Sequence, residues 1–104
     1  MVRPVPRQTY AVVWDQEQVV VSGGLTVQPE GFELHGRDEH VSVAFSDVRE
    51  ASIARASHDR LRGLPVLMLL MAAGGQLRIA SLEGLGVLHE LAADVEAAGL
   101  QVTV

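Results

Sequence analysis

The sequence predicts a mainly β domain: a sandwich or partly open barrel of about seven antiparallel strands, closed by one C-terminal helix. Three observations predict it. Apolar and polar residues alternate with period two, as in Phe32-Glu33-Leu34-His35 and Val41-Ser42-Val43-Ala44, the pattern of strands with one wet and one buried face. Gly and Pro interrupt this alternation at short intervals, at Pro29-Glu30-Gly31, Gly36 and Gly74-Gly75, where turns are expected. After Ser81 the pattern changes to Leu85, Leu88, Leu91, Ala92 and Val95, the spacing of a single apolar helix face.

The first eight residues, with Pro4 and Pro6, read as an extended arm before a domain over residues 9–99 and a tail over 100–104. Tyr10, Val12 and Trp14 form one face of a first strand, and Asp15-Gln16-Glu17-Gln18 reads as an acidic turn. Val19, Val21, Leu25 and Val27 keep one parity through a long second strand, and Gly23-Gly24 in its middle predicts a bulge or sharp bend. Phe32 to His35 and Val41 to Phe45 form the third and fourth strands around the loop Gly36 to Glu39. Arg49 to Arg55 gives a fifth strand, a charged loop follows to Leu64, and Val66 to Met71 is a sixth strand, apolar at every position. Leu77 and Ile79 mark one face of the seventh. Ser81 stands where a helix N-cap is expected, with Glu83 in the first turn. Gly99 is a C′ residue whose follower, Leu100, can pack back.

Composition bounds the function. The 104 residues are 48% hydrophobic but only 4% aromatic, so the core of this single domain is aliphatic. A formal charge of −5 argues against binding nucleic acid or an anionic membrane through a basic surface. The absence of cysteine removes disulfides, thiolate metal sites and a cysteine nucleophile. All eight basic residues are Arg; with abundant Ala, Gly, Val and Leu, this is the output of GC-rich codons and points to a bacterial source. Met1 to Arg7 lacks the apolar core of a signal peptide, and the apolar run from Leu64 to Ala73 is about half of the ~20 residues a membrane helix needs. A cytoplasmic protein without an integral membrane segment is expected.

Seven strands and a terminal helix, in that order, resemble the pleckstrin-homology-like fold and its bacterial relatives. Gly24-Leu25-Thr26-Val27 leading to Glu30-Gly31, the junction Phe45-Ser46-Asp47-Val48, and Leu77-Arg78-Ile79-Ala80-Ser81 running into Leu85-Gly86-Val87-Leu88 carry the resemblance over about residues 10–98. It implies two near-orthogonal sheets with the helix plugging one open end, and no particular function, since this fold hosts lipid binders, peptide binders and scaffolds. Members that bind phosphoinositides carry a basic cluster around the first two strands. Here that loop is Asp15-Gln16-Glu17-Gln18, which repels phosphate, so headgroup binding there is not expected.

Three groups of residues remain as candidate sites. His35 and His40 flank a four-residue loop on the outer face, where parity pairs them across a hairpin at roughly 5 Å between Cβ atoms. They read as exposed polar-face histidines; the functional alternative is a metal site completed by Asp38 or Glu39, for which spacing fixes no third ligand. Arg55, Arg60 and Arg62 surround His58 and Asp59 in the loop before strand six; they read as a solvated loop, or as a clamp for an anion or carboxylate. Leu67, Leu69 and Met71 of strand six are expected on the outer face, needing cover from the terminal segments or from a second copy of the chain. Gly84-Leu85-Gly86 lacks its third glycine and a βαβ setting, His89-Glu90 lacks a second histidine, and no G-x-S-x-G elbow is present.

The expectation is therefore a non-enzymatic interaction module, binding a protein partner or associating with itself as a homodimer, with no cofactor. A domain for a small anionic ligand or lipid headgroup through Arg55, Arg60 and Arg62 is the first alternative, and a metal-dependent enzyme through His35 and His40 the second.

Overall fold

The computed structural model describes residues 9–16 and 19–103. The expected arm over residues 1–8, half of the acidic turn (residues 17 and 18) and residue 104 of the tail lie outside the described residues. The chain builds β1 (Thr9–Gln16), β2 (Val19–Gln28), β3 (Gly31–His35), β4 (His40–Ala44), β5 (Val48–Ala54), β6 (Val66–Met71), β7 (Gln76–Ser81), helix α1 (Leu85–Ala97) and a short β8 (Val102–Thr103). All eight strands join one curled sheet in the order β4-β3-β2-β1-β7-β6-β5-β8. The architecture is thus mainly β, a half-barrel with one helix, and a single sheet replaces the two expected. Neighbours pair antiparallel except β8, which runs parallel to β5 through Ala51↔Val102 and Ser52↔Thr103. Backbone ladders satisfy most polar groups locally, which lets aliphatic residues fill the interior. No helix among the described residues is long and apolar enough to cross a membrane.

Alternation decides what faces inward. Val12, Trp14, Leu25, Phe32, Leu34, Val43, Leu67, Leu69, Leu77 and Ile79 form one core with Leu88, Leu91 and Val95 of α1. Phe32 and Phe45 meet edge to face at 5.1 Å and 86°, a favoured aromatic geometry. Phe45 opens a single 3₁₀ turn, Phe45–Asp47, whose first N–H donates to the Glu30 carbonyl at 2.8 Å. That bond ties the β4–β5 junction back to the β2–β3 turn.

The glycine pair in β2 acts differently from the expected bulge. The β1–β2 register runs unbroken from Thr9↔Thr26 to Gln16↔Val19, and the irregularity in the sheet falls instead in β5, between Val48 and Glu50. Gly23 is needed for close approach: a Cβ there would lie 1.9 Å from the His35 carbonyl oxygen. Two backbones touching without a side chain between them give the sheet its tight curl.

The helix starts three residues later than Ser81 would place it, at Leu85 rather than Leu82. Leu82 N–H donates to the Ala11 carbonyl at 2.9 Å, and Ala11 N–H donates to Glu83 Oε2 at 2.7 Å. These bonds hold the chain extended along β1, so Ser81 caps no helix. Its hydroxyl accepts the Glu83 N–H at 3.0 Å in a local turn. The cap position falls to Gly84 at φ 106°, and Leu85 sits outside the buried face, 41% exposed. At the other end Leu100 N–H bonds Val95 O and Gly99 N–H bonds Glu96 O, with Gly99 at φ 100°. This is the Schellman arrangement expected from Gly99-Leu100. It turns the chain back so that Val102 reaches the edge of β5.

Because Leu91 is fully buried among both halves of the sheet, Leu91→Ala is expected to cost about 2–5 kcal/mol in denaturant unfolding. Leu85→Ala, at an exposed position of the same helix, is expected to change stability by less than about 0.5 kcal/mol. Equal effects at the two positions would show that α1 does not complete the core.

Candidate functional site

Strand six settles which residues face out. β6 pairs with β7 through Leu67↔Ile79 and Leu69↔Leu77, so Leu67 and Leu69 share the inner face with those residues and are fully buried beneath α1. Met71 packs against the same core. The expected interface of Leu67, Leu69 and Met71 is therefore corrected: Leu67 and Leu69 are interior, and Met71 packs partly buried against them. The opposite face carries Val66, Met68 and Leu70. Val66 is fully buried there in a second small cluster with Val13, Ala80 and Leu61, flanked by Leu64 and Met68. The cover comes from the β5–β6 loop, which closes this face around Val66 within the chain and leaves Leu70 partly exposed at its end.

The arginine-rich loop is built to make that cover. Leu61 and Leu64 exchange both backbone hydrogen bonds, at 3.1 and 2.8 Å, around a two-residue tip. Arg62 and Gly63 occupy the tip at φ 50° and 77°, as a tight hairpin turn requires. Arg60 donates from Nε to the Arg55 carbonyl at 2.9 Å and from Nη1 to the Gly63 carbonyl at 3.1 Å. Its guanidinium thus holds the loop, while Arg55 and Arg62 are exposed at the surface. A fourth arginine, which the sequence reading passed over, anchors the same loop. Arg78 of β7 forms a forked ion pair with Asp15 at 2.7 and 3.3 Å and donates to the Asp59 carbonyl at 3.2 Å. The Asp15 hydrogen bonds push the Arg78 guanidinium further into its charged form. Asp15 is accordingly a buried strand residue, not part of an acidic turn.

The histidine pair falls where parity places it. His35 and His40 are directly opposed in the β3–β4 ladder, and their rings stack with centroids 4.6 Å apart and planes at 21°. The neighbouring outward pair is Glu33↔Ser42. Glu33 Oε2 contacts His40 Nε2, and the Ser42 hydroxyl donates to both Glu33 oxygens at 3.0 and 2.9 Å. One donor atom from each of Glu33, His35 and His40 falls within 4.8 Å of the others. The third member is thus Glu33, two residues before His35, and neither Asp38 nor Glu39. Glu39 is turned toward the loop backbone, accepting the Asp38 N–H at 3.3 Å.

A second feature is the edge of the sheet at β5. Among the described residues, β8 pairs with Ala51 and Ser52 of that seven-residue strand. Beside it lies an open hollow of about 340 Å³, lined by Arg49, Glu50, Ser52, Leu70, Leu100 and Thr103. Leu70 and Leu100 give it an apolar floor between charged and hydroxyl rims.

Neither a protein-family model nor a curated protein matches the chain. Among solved structures it is similar to the C-terminal domain of an unknown protein from Leishmania infantum, with a TM-score of 0.66 and 10% sequence identity. The match spans 86% of this chain and 82% of that one. At that identity the likeness concerns the fold alone: a curled, β-dominated sheet with one helix.

Two expected outcomes follow from these contacts. Arg78→Met leaves the buried Asp15 carboxylate without its partner and should cost about 1–3 kcal/mol. The double variant Asp15→Leu/Arg78→Met should recover part of that loss, as replacing a whole ion pair is cheaper than breaking one; chemical denaturation of all three proteins measures both. For Glu33, the hydrogen bonds from His40 and then Ser42 hold the carboxyl below its ordinary value of 4.5. The folded value is the lower one, so the stabilisation is present above the ordinary value and is lost as pH falls through the folded value. The melting-temperature gap between the wild type and Glu33→Gln should be open at neutral pH and should close as the pH falls through the folded value of the Glu33 carboxyl.

Proposed function

We propose that this domain is a non-enzymatic interaction module of pleckstrin-homology-like fold, binding a protein partner by adding an extended segment to the sheet edge at β5. The strand order β4-β3-β2-β1-β7-β6-β5, with helix α1 following the seventh strand and lying on the inner face, supports the fold reading. The length of β5 left unpaired by the described residues, beside its hollow, carries the functional one. An edge strand presents unpaired N–H and C=O groups in a row, and a partner strand satisfies them while alternate side chains enter a neighbouring pocket. Here the pocket offers Leu70 and Leu100 to an apolar side chain, and Arg49 and Glu50 to polar groups on either side. β8 shows that the edge accepts a strand, since the chain's own tail pairs with it over two residues.

Affinity capture with the immobilised domain from its native host, followed by titration with the captured partner, tests this. Leu70→Arg, in the hollow, should weaken binding by about tenfold or more, as truncating a central contact commonly does. Leu85→Arg, at the exposed start of α1, should leave binding unchanged. Sedimentation equilibrium of the purified domain distinguishes a foreign partner from a second copy on the same edge. A partner bound equally by Leu70→Arg and the wild type would overturn the proposal.

A further inference from the structure

The outer face of the β3–β4 hairpin carries a second site, at the opposite end of the strand order from β5 and independent of the reading above. Its residues form a two-by-two array fixed by the ladder: Glu33 and Ser42 are one cross-strand pair, His35 and His40 the next on the same face. Side chains two apart on a strand share a face, and directly opposed pairs on two strands are neighbours. Four polar groups are therefore held together by main-chain geometry rather than by chance contacts of long side chains. The turn beyond them is closed by Gly36 N–H donating to Glu39 O at 2.7 Å.

We propose that Glu33, His35 and His40 form a binding site for one late first-row divalent cation of the Zn²⁺ class, with a water in the remaining position. Two imidazole nitrogens and one carboxylate oxygen suit Zn²⁺, Ni²⁺ or Cu²⁺, whereas Mg²⁺ and Ca²⁺ take oxygen ligands. Tetrahedral bonds of about 2.0–2.1 Å put ligand atoms about 3.3–3.4 Å from one another. The three donor atoms already lie within 4.8 Å, so small rotations about side-chain torsions close the set without moving the backbone. The His40 side chain is 59% exposed, which leaves the open position to solvent. A ligand shell needs outer support, and Ser42 provides it by donating to the Glu33 carboxylate at 3.0 and 2.9 Å. Such outer contacts orient the ligand and are part of a metal site's affinity. Gly24 is the β2 residue directly across from His35, so the ladder position beside that imidazole carries no side chain. The two remaining histidines, His58 and His89, lie in the β5–β6 loop and in α1, which separates their contribution from that of the hairpin.

Isothermal titration of the untagged chain with Zn²⁺ tests the proposal, with Mg²⁺ as control. The wild type should bind one Zn²⁺ per chain saturably and ignore Mg²⁺. His35→Ala and His40→Ala should each weaken Zn²⁺ binding by about 100-fold or more, exceeding the roughly 10–100-fold expected for the supporting Ser42→Ala. His89→Ala should bind like the wild type. Melting curves in chelator report whether each variant is folded. Co²⁺ supplies a second readout, since its visible ligand-field bands should appear with the wild type and be lost in His40→Ala. Zn²⁺ binding that survives in the His35→Ala/His40→Ala double variant, or a wild type that shows no one-to-one Zn²⁺ binding, overturns the site. Neither result bears on capture of a partner at β5.

Discussion

The middle of the sheet is apolar on both faces where Val13, Ala80 and Val66 lie side by side behind Trp14, Ile79 and Leu67, and the rest of the molecule follows from covering it twice. On the inner face Trp14, Ile79, Leu67 and Leu69 meet α1. On the outer face Val13, Ala80 and Val66 meet Leu61 and Leu64. Each such side chain left in water would forfeit about 1.5–3 kcal/mol, so neither cover is optional. The inner one is a helix, whose backbone satisfies itself. The outer one is a loop, and a loop laid on an apolar surface must find partners for its carbonyls. Arg60 and Arg78 supply them, at Arg55, Gly63 and Asp59. This is why a stretch that looks like an anion clamp in sequence spends one of its three guanidinium groups on its own main chain.

What the sequence made legible was local. Strand parity, the two turns around β3, the apolar stripe of Leu88, Leu91 and Val95, and the Gly99-Leu100 ending all depend on neighbours within a few residues, and the structure has them. The outward set of β6 was misjudged because β6 alone carries no polarity to orient it. Orientation arrives across the β6–β7 hairpin, where Arg78 sits between Leu77 and Ile79 and marks their face as inner. The register Leu69↔Leu77 and Leu67↔Ile79 then carries that choice into β6, and a reading that followed the pairing would have found it. Ser81 shows the reverse limit. Its capping chemistry is sound locally, yet bonds from Leu82 and Glu83 to Ala11, some seventy residues earlier, keep the chain extended past it. Asp15–Arg78 and the parallel strand β8 are equally remote pairings, and no local pattern encodes them.

The histidine hairpin lies between these cases. Its cross-strand pair was legible from the loop length, but the search for a third donor went forward into Asp38 and Glu39, where the acidic residues cluster. The alternation that placed the histidines outward places Glu33 outward as well, and the ladder sets it diagonally from His40. Proximity along the chain and proximity on a sheet face are different measures. On a pleated surface the residue two positions back is nearer than the one three positions on, because the turn carries the latter away from the face.

The two free edges of the sheet then divide by chemistry. Along β4 the outward residues are His40 and Ser42, both hydrogen-bonded to Glu33, so the hairpin face there is polar. A strand docking on that edge would gain little apolar burial from that face. Along β5 the exposed backbone borders Leu70 and Leu100, and a docking segment gains both ladder bonds and apolar contact. Charge sharpens the division. With a formal charge of −5 the molecule attracts cations and repels phosphates over its surface, which favours a metal ion at Glu33, His35 and His40 and disfavours an anion at Arg55 and Arg62. The proposed cation site and the proposed strand-accepting edge thus lie at opposite ends of one acidic, half-closed sheet, with the doubly covered centre between them.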